Sequence, residues 1–299
     1  MTSQWLTTLL LMAATTALAS ASKSAAGPDS PRKSDQEQYR GAARGLLQRA
    51  RGGDAHAQFL LGLALEHGEG VKQDYMLARE WYEKAAQAGE PAAQNNLGAL
   101  LAKGLGGGQD AAGALRWYMR AAVSGLAAAQ NNLGYMYSTG QGTNMDVGEA
   151  VRWYSKAAAQ HFPPAEANLA HLYSTGRGVA QDQTRAAELY RQAADAGYVP
   201  AEMDVASMYA QGRGVSRDLG AAARWLRRAA EHGSATAQNN LGFAYEHGLG
   251  VLRDRAASLF WYRKAAAQGL AEAQKNLVVM ERAETEEKTT QVSNDQSFR

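Results

Sequence analysis

The sequence predicts an all-α protein, an α-solenoid built from helix-turn-helix repeats with a period of 36 residues. Three observations lead there. The hexapeptide AQNNLG occurs at Ala93 to Gly98, Ala129 to Gly134 and Ala237 to Gly242. Gln58, Gln94, Gln130, Gln238 and Gln274 are spaced by 36 residues or multiples of it, with Glu166 and Glu202 in the gaps. No segment alternates as a strand would, whereas apolar residues recur at i and i+4 throughout. A fixed period in this range marks units that cannot bury their apolar faces alone and must stack.

Within each unit a first helix is set by Leu61, Leu97, Leu133, Leu169, Val205 and Leu241. Four positions later come Leu65, Leu101, Tyr137, Tyr173, Tyr209 and Tyr245 on the same face. Small residues follow each of the first set (Gly62, Gly98, Gly134, Ala170, Ala206, Gly242), and a helical glycine costing about 1 kcal/mol against alanine implies close packing there. A Gly-x-Gly, from Gly68 and Gly70 to Gly248 and Gly250, ends the helix by supplying left-handed backbone. Asp74, Asp110, Asp146, Asp182, Asp218 and Asp254 then stand as N-caps of a second helix. That helix carries Trp81, Trp117, Trp153, Trp225 and Trp261, each followed by paired alanines, and reads as core rather than as a stacking site. Two residues break the pattern: Leu189 replaces the tryptophan, and His161 replaces the turn glycine just before Pro163-Pro164.

The flanks complete the organisation. Residues 1–21, with an apolar run from Trp5 to about Ala19 and small residues after it, fit a cleaved secretory signal peptide and a periplasmic destination. Residues 22–35 read as a flexible leader, 36–52 as an N-terminal capping helix and 53–269 as six repeats. Residues 270–287 read as a C-terminal capping helix with a charged outer side, and 288–299 as a disordered tail.

Composition narrows the chemistry. There is no cysteine, which excludes disulfides, thiolate metal sites and cysteine nucleophiles. A formal charge of +2 gives no reason to expect nucleic acid. Ser-x-x-Lys occurs only in the leader, at Ser20 to Lys23 and Ser30 to Lys33, where no rigid oxyanion donors can be arranged. Glu66-His67 and Glu246-His247 share one repeat position but supply too few ligands for a closed metal shell. Lys84, Arg120, Lys156, Arg228 and Lys264 form a recurring basic stripe, which Glu80, Glu83 and Glu188 interrupt, so it reads as a solvated face rather than a membrane-contact surface. The expectation is a non-enzymatic protein without cofactor or metal, monomeric, with another protein as partner.

The segment AAQNNLGYMYSTGQGTNMDVGEAVRWYSKAAAQH, Ala128 to His161, resembles a Sel1-like repeat, a relative of the tetratricopeptide repeat. The resemblance spans about Gly53 to Leu277 and implies antiparallel helix pairs in a right-handed superhelix whose first helices line a concave surface. It also implies an interaction scaffold: an immunity protein against a phospholipase effector of type VI secretion, or alternatively an envelope adaptor for polysaccharide, flagellar or secretion machinery. A cysteine-rich branch with penicillin binding is the less fitting comparison, since cysteine is absent here. Carrying the concave positions over gives Phe59, Leu63, His67, Asn95, Lys103, Asn131, Tyr135, Thr139, His171, Met203, Asn239, Phe243 and His247 as partner-binding candidates. The first asparagine of AQNNLG varies between repeats and belongs to that set; the second is expected to bond between units.

Overall fold

A computed structural model describes residues 45–282, and among these residues every regular element is a helix. The first helices are α1 (Ala55–His67), α3 (Pro91–Lys103), α5 (Ala127–Thr139), α7 (Pro163–Thr175), α9 (Val199–Gln211) and α11 (Ala235–His247). The second helices are α2 (Tyr75–Gln87), α4 (Ala111–Val123), α6 (Val147–Ala158), α8 (Gln183–Asp195), α10 (Leu219–Glu231) and α12 (Arg255–Ala267). Residues 45–51 and 271–282 are also helical. The signal peptide, the leader and the tail expected from sequence lie outside the described residues, as do parts of both capping helices.

The aspartates cap as expected. Asp74, Asp110, Asp182, Asp218 and Asp254 each accept the backbone N–H three residues on, which satisfies a donor that the helix itself leaves orphaned. Each first helix ends on a glycine in the left-handed region, from Gly68 (φ 73°) to Gly248 (φ 72°).

The chain divides into two compact units, one through residue 150 and one from residue 151. In the first, α1 packs on α2 and α3 on α4, and α2 and α4 are followed by α3 and α5 as neighbours. In the second, the pairs are α7 with α8, α9 with α10 and α11 with α12, with α8 against α9 and α10 against α11. Layers of small residues let the helices close up. A Cβ on Gly98 would lie 2.9 Å from the Tyr118 ring, and one on Gly242 would lie 2.8 Å from the Tyr262 ring. The small position is therefore shaped by the tyrosine of the second helix in the same repeat. Tyr82 and Tyr262 are fully buried (both 0% exposed), and burial pushes the Tyr118 hydroxyl up to about 12.

The tryptophans sit further out than the tyrosines. Trp153 and Trp261 are buried, while Trp81, Trp117 and Trp225 are half-buried. The recurring basic residue covers each ring: Lys84 over Trp81 at 4.2 Å, Arg120 over Trp117 at 4.6 Å, Lys156 over Trp153 at 4.0 Å, Arg228 over Trp225 at 5.0 Å and Lys264 over Trp261 at 5.2 Å. The basic stripe is thus tied to the tryptophan stripe by cation–π contact one helical turn apart.

Two devices join one repeat to the next. In four of the six first helices a buried glutamine donates its side-chain N–H to a carbonyl near the end of the preceding helix. Gln58 bonds to Ala50 (3.0 Å), Gln94 to Ala86 (3.1 Å), Gln130 to Ala122 (3.1 Å) and Gln238 to Ala230 (3.0 Å). The second glycine of Gly-x-Gly is the other device. A Cβ on Gly106, Gly142, Gly214 or Gly250 would fall on the first carbonyl of the preceding second helix, at Tyr75, Ala111, Gln183 or Leu219. These glycines serve contact as well as conformation.

Gly214 and Gly197 separate those two demands, because both have positive φ (68° and 85°) but only Gly214 is hemmed in. Gly197→Ala should cost about 1–2 kcal/mol for left-handed backbone. Gly214→Ala should cost a further 1–3 kcal/mol, roughly, for the displaced joint. Urea unfolding of the two variants checks the difference.

Candidate functional site

The first-helix side of each unit is held by a network of amides and tyrosines. The Tyr82 hydroxyl donates to Glu66 Oε2 (2.6 Å) and accepts from Asn96 Nδ2 (3.1 Å). Asn95 Nδ2 donates to Asn96 Oδ1 (3.2 Å), and Asn132 Nδ2, one repeat on, donates to Asn95 Oδ1 (3.0 Å). The second unit repeats the arrangement. Tyr262 donates to Glu246 Oε2 (2.7 Å), and Asn276 Nδ2 donates to Asn239 Oδ1 (3.0 Å). Burial, then the bond to Glu66, holds the Tyr82 hydroxyl well above its ordinary range. Glu66 and Glu246, adjacent to His67 and His247, are therefore tyrosine acceptors. Among the described residues no group of three histidines, aspartates or glutamates is placed to hold a metal.

This network divides the sequence-derived contact residues. Tyr135 (49% exposed) and Phe243 (45% exposed) stand out from α5 and α11, each with its i+4 neighbour, Thr139 or His247, also exposed. Phe243 stacks on His247 with ring centroids 4.1 Å apart. His67, Lys103 and His171 are exposed, and Leu63 and Asn131 are half-buried. Four candidates are instead occupied inside the protein. Phe59 is buried beside Tyr82, with ring centroids 5.9 Å apart, and Met203 packs on the core cluster that contains Ala237 and Leu241. Asn95 and Asn239 each accept a bond from the next repeat, and Asn239 is only 3% exposed. The first asparagine of AQNNLG is thus a joint residue where it pairs, because its partner sits 37 residues downstream rather than one period.

Glutamate stands in for the joint glutamine at two places, with different outcomes. Glu202 is fully buried, and its oxygens meet Arg228 Nε (2.7 Å) and His232 Nδ1 (3.0 Å). Arg228 Nη2 also donates to the Ala194 carbonyl (2.7 Å), taking over the bond that glutamine makes elsewhere. Glu166 has no such arginine, since Gln192 and Ala196 occupy the positions equivalent to Arg228 and His232. Its partner is His161 at 3.5 Å, the one non-glycine with positive φ (56°) among the described residues. Burial pushes the Glu166 carboxyl up, and His161 pulls it only part of the way back.

Six stretches of the chain, residues 55–90, 91–125, 127–162, 163–198, 199–234 and 235–270, match the Sel1 repeat. The paired helices and their glutamine joints define the protein as a helical repeat scaffold. With these matches covering most of its length, the chain belongs to the Sel1 repeat family. Among solved structures it is similar to c5321, a protective antigen of uropathogenic Escherichia coli with an SLR fold, at 37% identity and TM-score 0.68. That likeness covers 78% of this chain and 50% of the antigen, so the chain spans about half the antigen's length. A Sel1 repeat protein from Oxalobacter formigenes is 33% identical with TM-score 0.72, over 79% of this chain and 68% of that one. The immunity protein Pa5087 from Pseudomonas aeruginosa shares the fold at 22% identity and TM-score 0.50, over 73% and 82% of the two chains. No curated protein matches the chain. No helix among the described residues is long and apolar enough to cross a membrane.

The two glutamate joints should respond oppositely to amide replacement. Glu166→Gln removes a buried carboxylate and supplies a donor for the Ala158 carbonyl, so it should stabilise by about 1 kcal/mol at pH 7 to 8. Because the folded-state pKa of Glu166 is raised, the wild-type penalty sets in as pH climbs above the ordinary glutamate range. The gain should therefore fade as pH falls toward and below 4.5, the reference value for glutamate. Glu202→Gln should instead destabilise, because it removes the negative partner of Arg228 and weakens the contact with His232. Thermal unfolding of both variants across pH reads both signs.

Proposed function

We propose that this protein is a non-enzymatic interaction module of the periplasm that binds another protein along the exposed side of its first helices. The observation that carries the proposal is the exposure of Tyr135 in the first unit and of Phe243 in the second, each on a first helix whose unit has amides and tyrosines already bonded to one another. Rigid, half-exposed aromatics give large contact area at low entropic cost, and such residues dominate binding energy at protein interfaces. Lys103 and Thr139 add exposed polar groups on first helices of the first unit, and His171 and His247 do so in the second. Export rests on the apolar segment and small residues of the amino terminus.

Within that class the favoured role is inhibition of an effector enzyme by occupancy. Its support is the shared fold with Pa5087 and with PA5088, both immunity proteins of Pseudomonas aeruginosa, the latter at 19% identity and TM-score 0.51. A phospholipase effector of type VI secretion is the expected target.

Affinity recovery from periplasmic extract with quantitative mass spectrometry tests both levels. A single secreted enzyme is expected with the wild-type chain, and envelope machinery in its place would favour an adaptor. Tyr135→Ala and Phe243→Ala, made separately, should each weaken the recovered complex by about tenfold or more, equivalent to roughly 1.4 kcal/mol. Unchanged recovery with both variants would remove the first-helix side as the binding surface.

A further inference from the structure

In the second unit the tyrosine network keeps its tyrosine at Tyr190 but changes both of its partners. Tyr190 occupies the position of Tyr82 and Tyr262, but Ser174 stands where those tyrosines find Glu66 and Glu246. Asp204 stands where the other repeats carry Asn96, Asn132, Asn168, Asn240 and Asn276, and it faces back toward a repeat that has Ala167 in place of the accepting asparagine. Beside Ser174, whose position is also serine at Ser138, lies a cavity of about 160 Å³, lined by His171, Gln183, Tyr190, Asp204, Met208 and Arg213. His171 and Arg213 are exposed at its rim, and Asp204 is half-buried.

The polar groups of this cavity are unevenly matched. Ser174 Oγ donates to the His171 carbonyl (2.9 Å), and Gln183 Nε2 donates to the Ser174 carbonyl (2.7 Å). Gln183 Oε1 is buried with no donor, which adds the negative end of a carbonyl dipole to the interior. Arg213 donates to Ser207 Oγ (3.2 Å). No ion pair joins it to Asp204, although the two line one cavity, and the Asp204 carboxylate accepts no hydrogen bond from the described residues. Burial pushes the Asp204 carboxyl up, and the charges of His171 and Arg213 offset this only through space. A carboxylate and a guanidinium held apart across a small cavity, with Met208 and the Tyr190 ring as an apolar wall, present opposite charges to a guest rather than to each other.

We propose that this cavity is a binding site for a small zwitterion of the α-amino acid type, its ammonium directed to Asp204 and its carboxylate to Arg213 and His171. The volume sets the class. About 160 Å³ admits a small amino acid and is well below the roughly 300 Å³ at which pockets for larger ligands begin. The charge placement excludes guests with one sign only, since either would leave one wall uncompensated. This site lies within the second unit and rests on its own cavity, sharing only His171 with the proposed protein-binding residues.

Titration of the isotope-labelled full chain with glycine, L-alanine and D-alanine, followed by backbone amide NMR, tests the site. Saturable shifts at His171, Gln183, Asp204 and Arg213 with a roughly millimolar Kd are expected, given so few ligand atoms. Methylamine and acetate, each carrying one half of the charge, should produce no saturable shift there. Asp204→Asn restores the residue found in five other repeats and so preserves the fold, yet it should weaken binding by about tenfold or more, as should Arg213→Gln. Absence of saturation with the amino acids, equal response to methylamine or acetate, or unchanged affinity in Asp204→Asn would overturn the assignment.

Discussion

A buried glutamine amide reaching the last carbonyls of the preceding helix is the interaction on which the repeat depends. Gln58, Gln94, Gln130 and Gln238 sit inside the helix packing, where an unbonded amide is costly, so the helix of each repeat can dock only in the register that meets that carbonyl. The carbonyl lies at the end of a helix, where it accepts the N–H of the turn glycine three residues on and keeps a second lone pair for the glutamine. The remaining repeated features follow from that docking distance. Alanine pairs keep the preceding helix thin, the small residue of the first helix admits a tyrosine ring, and the second turn glycine rests on the helix behind it.

Most of the fold was legible in the sequence because it rests on local rules applied at one period. Aspartate caps, left-handed glycines and i, i+4 apolar pairs each act within a few residues, and a period without insertions lines them up. The joints were less legible. The pairing of Asn132 with Asn95 spans 37 residues, a step that shows only once two helices are side by side. For the same reason Phe59 and Asn239 read as contact residues in the sequence but are buried, and the half-buried Asn95 and Met203 are engaged by neighbouring helices. Tyr135, Thr139, His171, Phe243 and His247 stay outside because their helix face meets no neighbour within its unit. The basic stripe looked like a plain solvated surface, since the position of a cation above a tryptophan ring is a matter of side-chain direction.

The departures from the repeat show how one substitution can have two meanings. Glutamate for glutamine at 202 comes with Arg228 and His232 and yields a tightly paired carboxylate. The same exchange at 166 comes with a single exposed histidine in a turn that every other repeat closes with glycine. Neither outcome can be inferred from the glutamate alone, because desolvation is common to both and only the supply of cations differs.

The joints also share a direction. The glutamine and asparagine joints described above reach back to acceptors earlier in the chain, as Gln94 does to Ala86 and Asn132 does to Asn95, and Gly214 leans on the Gln183 carbonyl behind it. A repeat emerging from the ribosome therefore finds these acceptors already in place, while apolar contacts such as Met203 against Ala237 and Leu241 close when the next repeat follows. Consolidation can keep pace with translation, one helix pair at a time, with little unpaired apolar surface exposed at any moment.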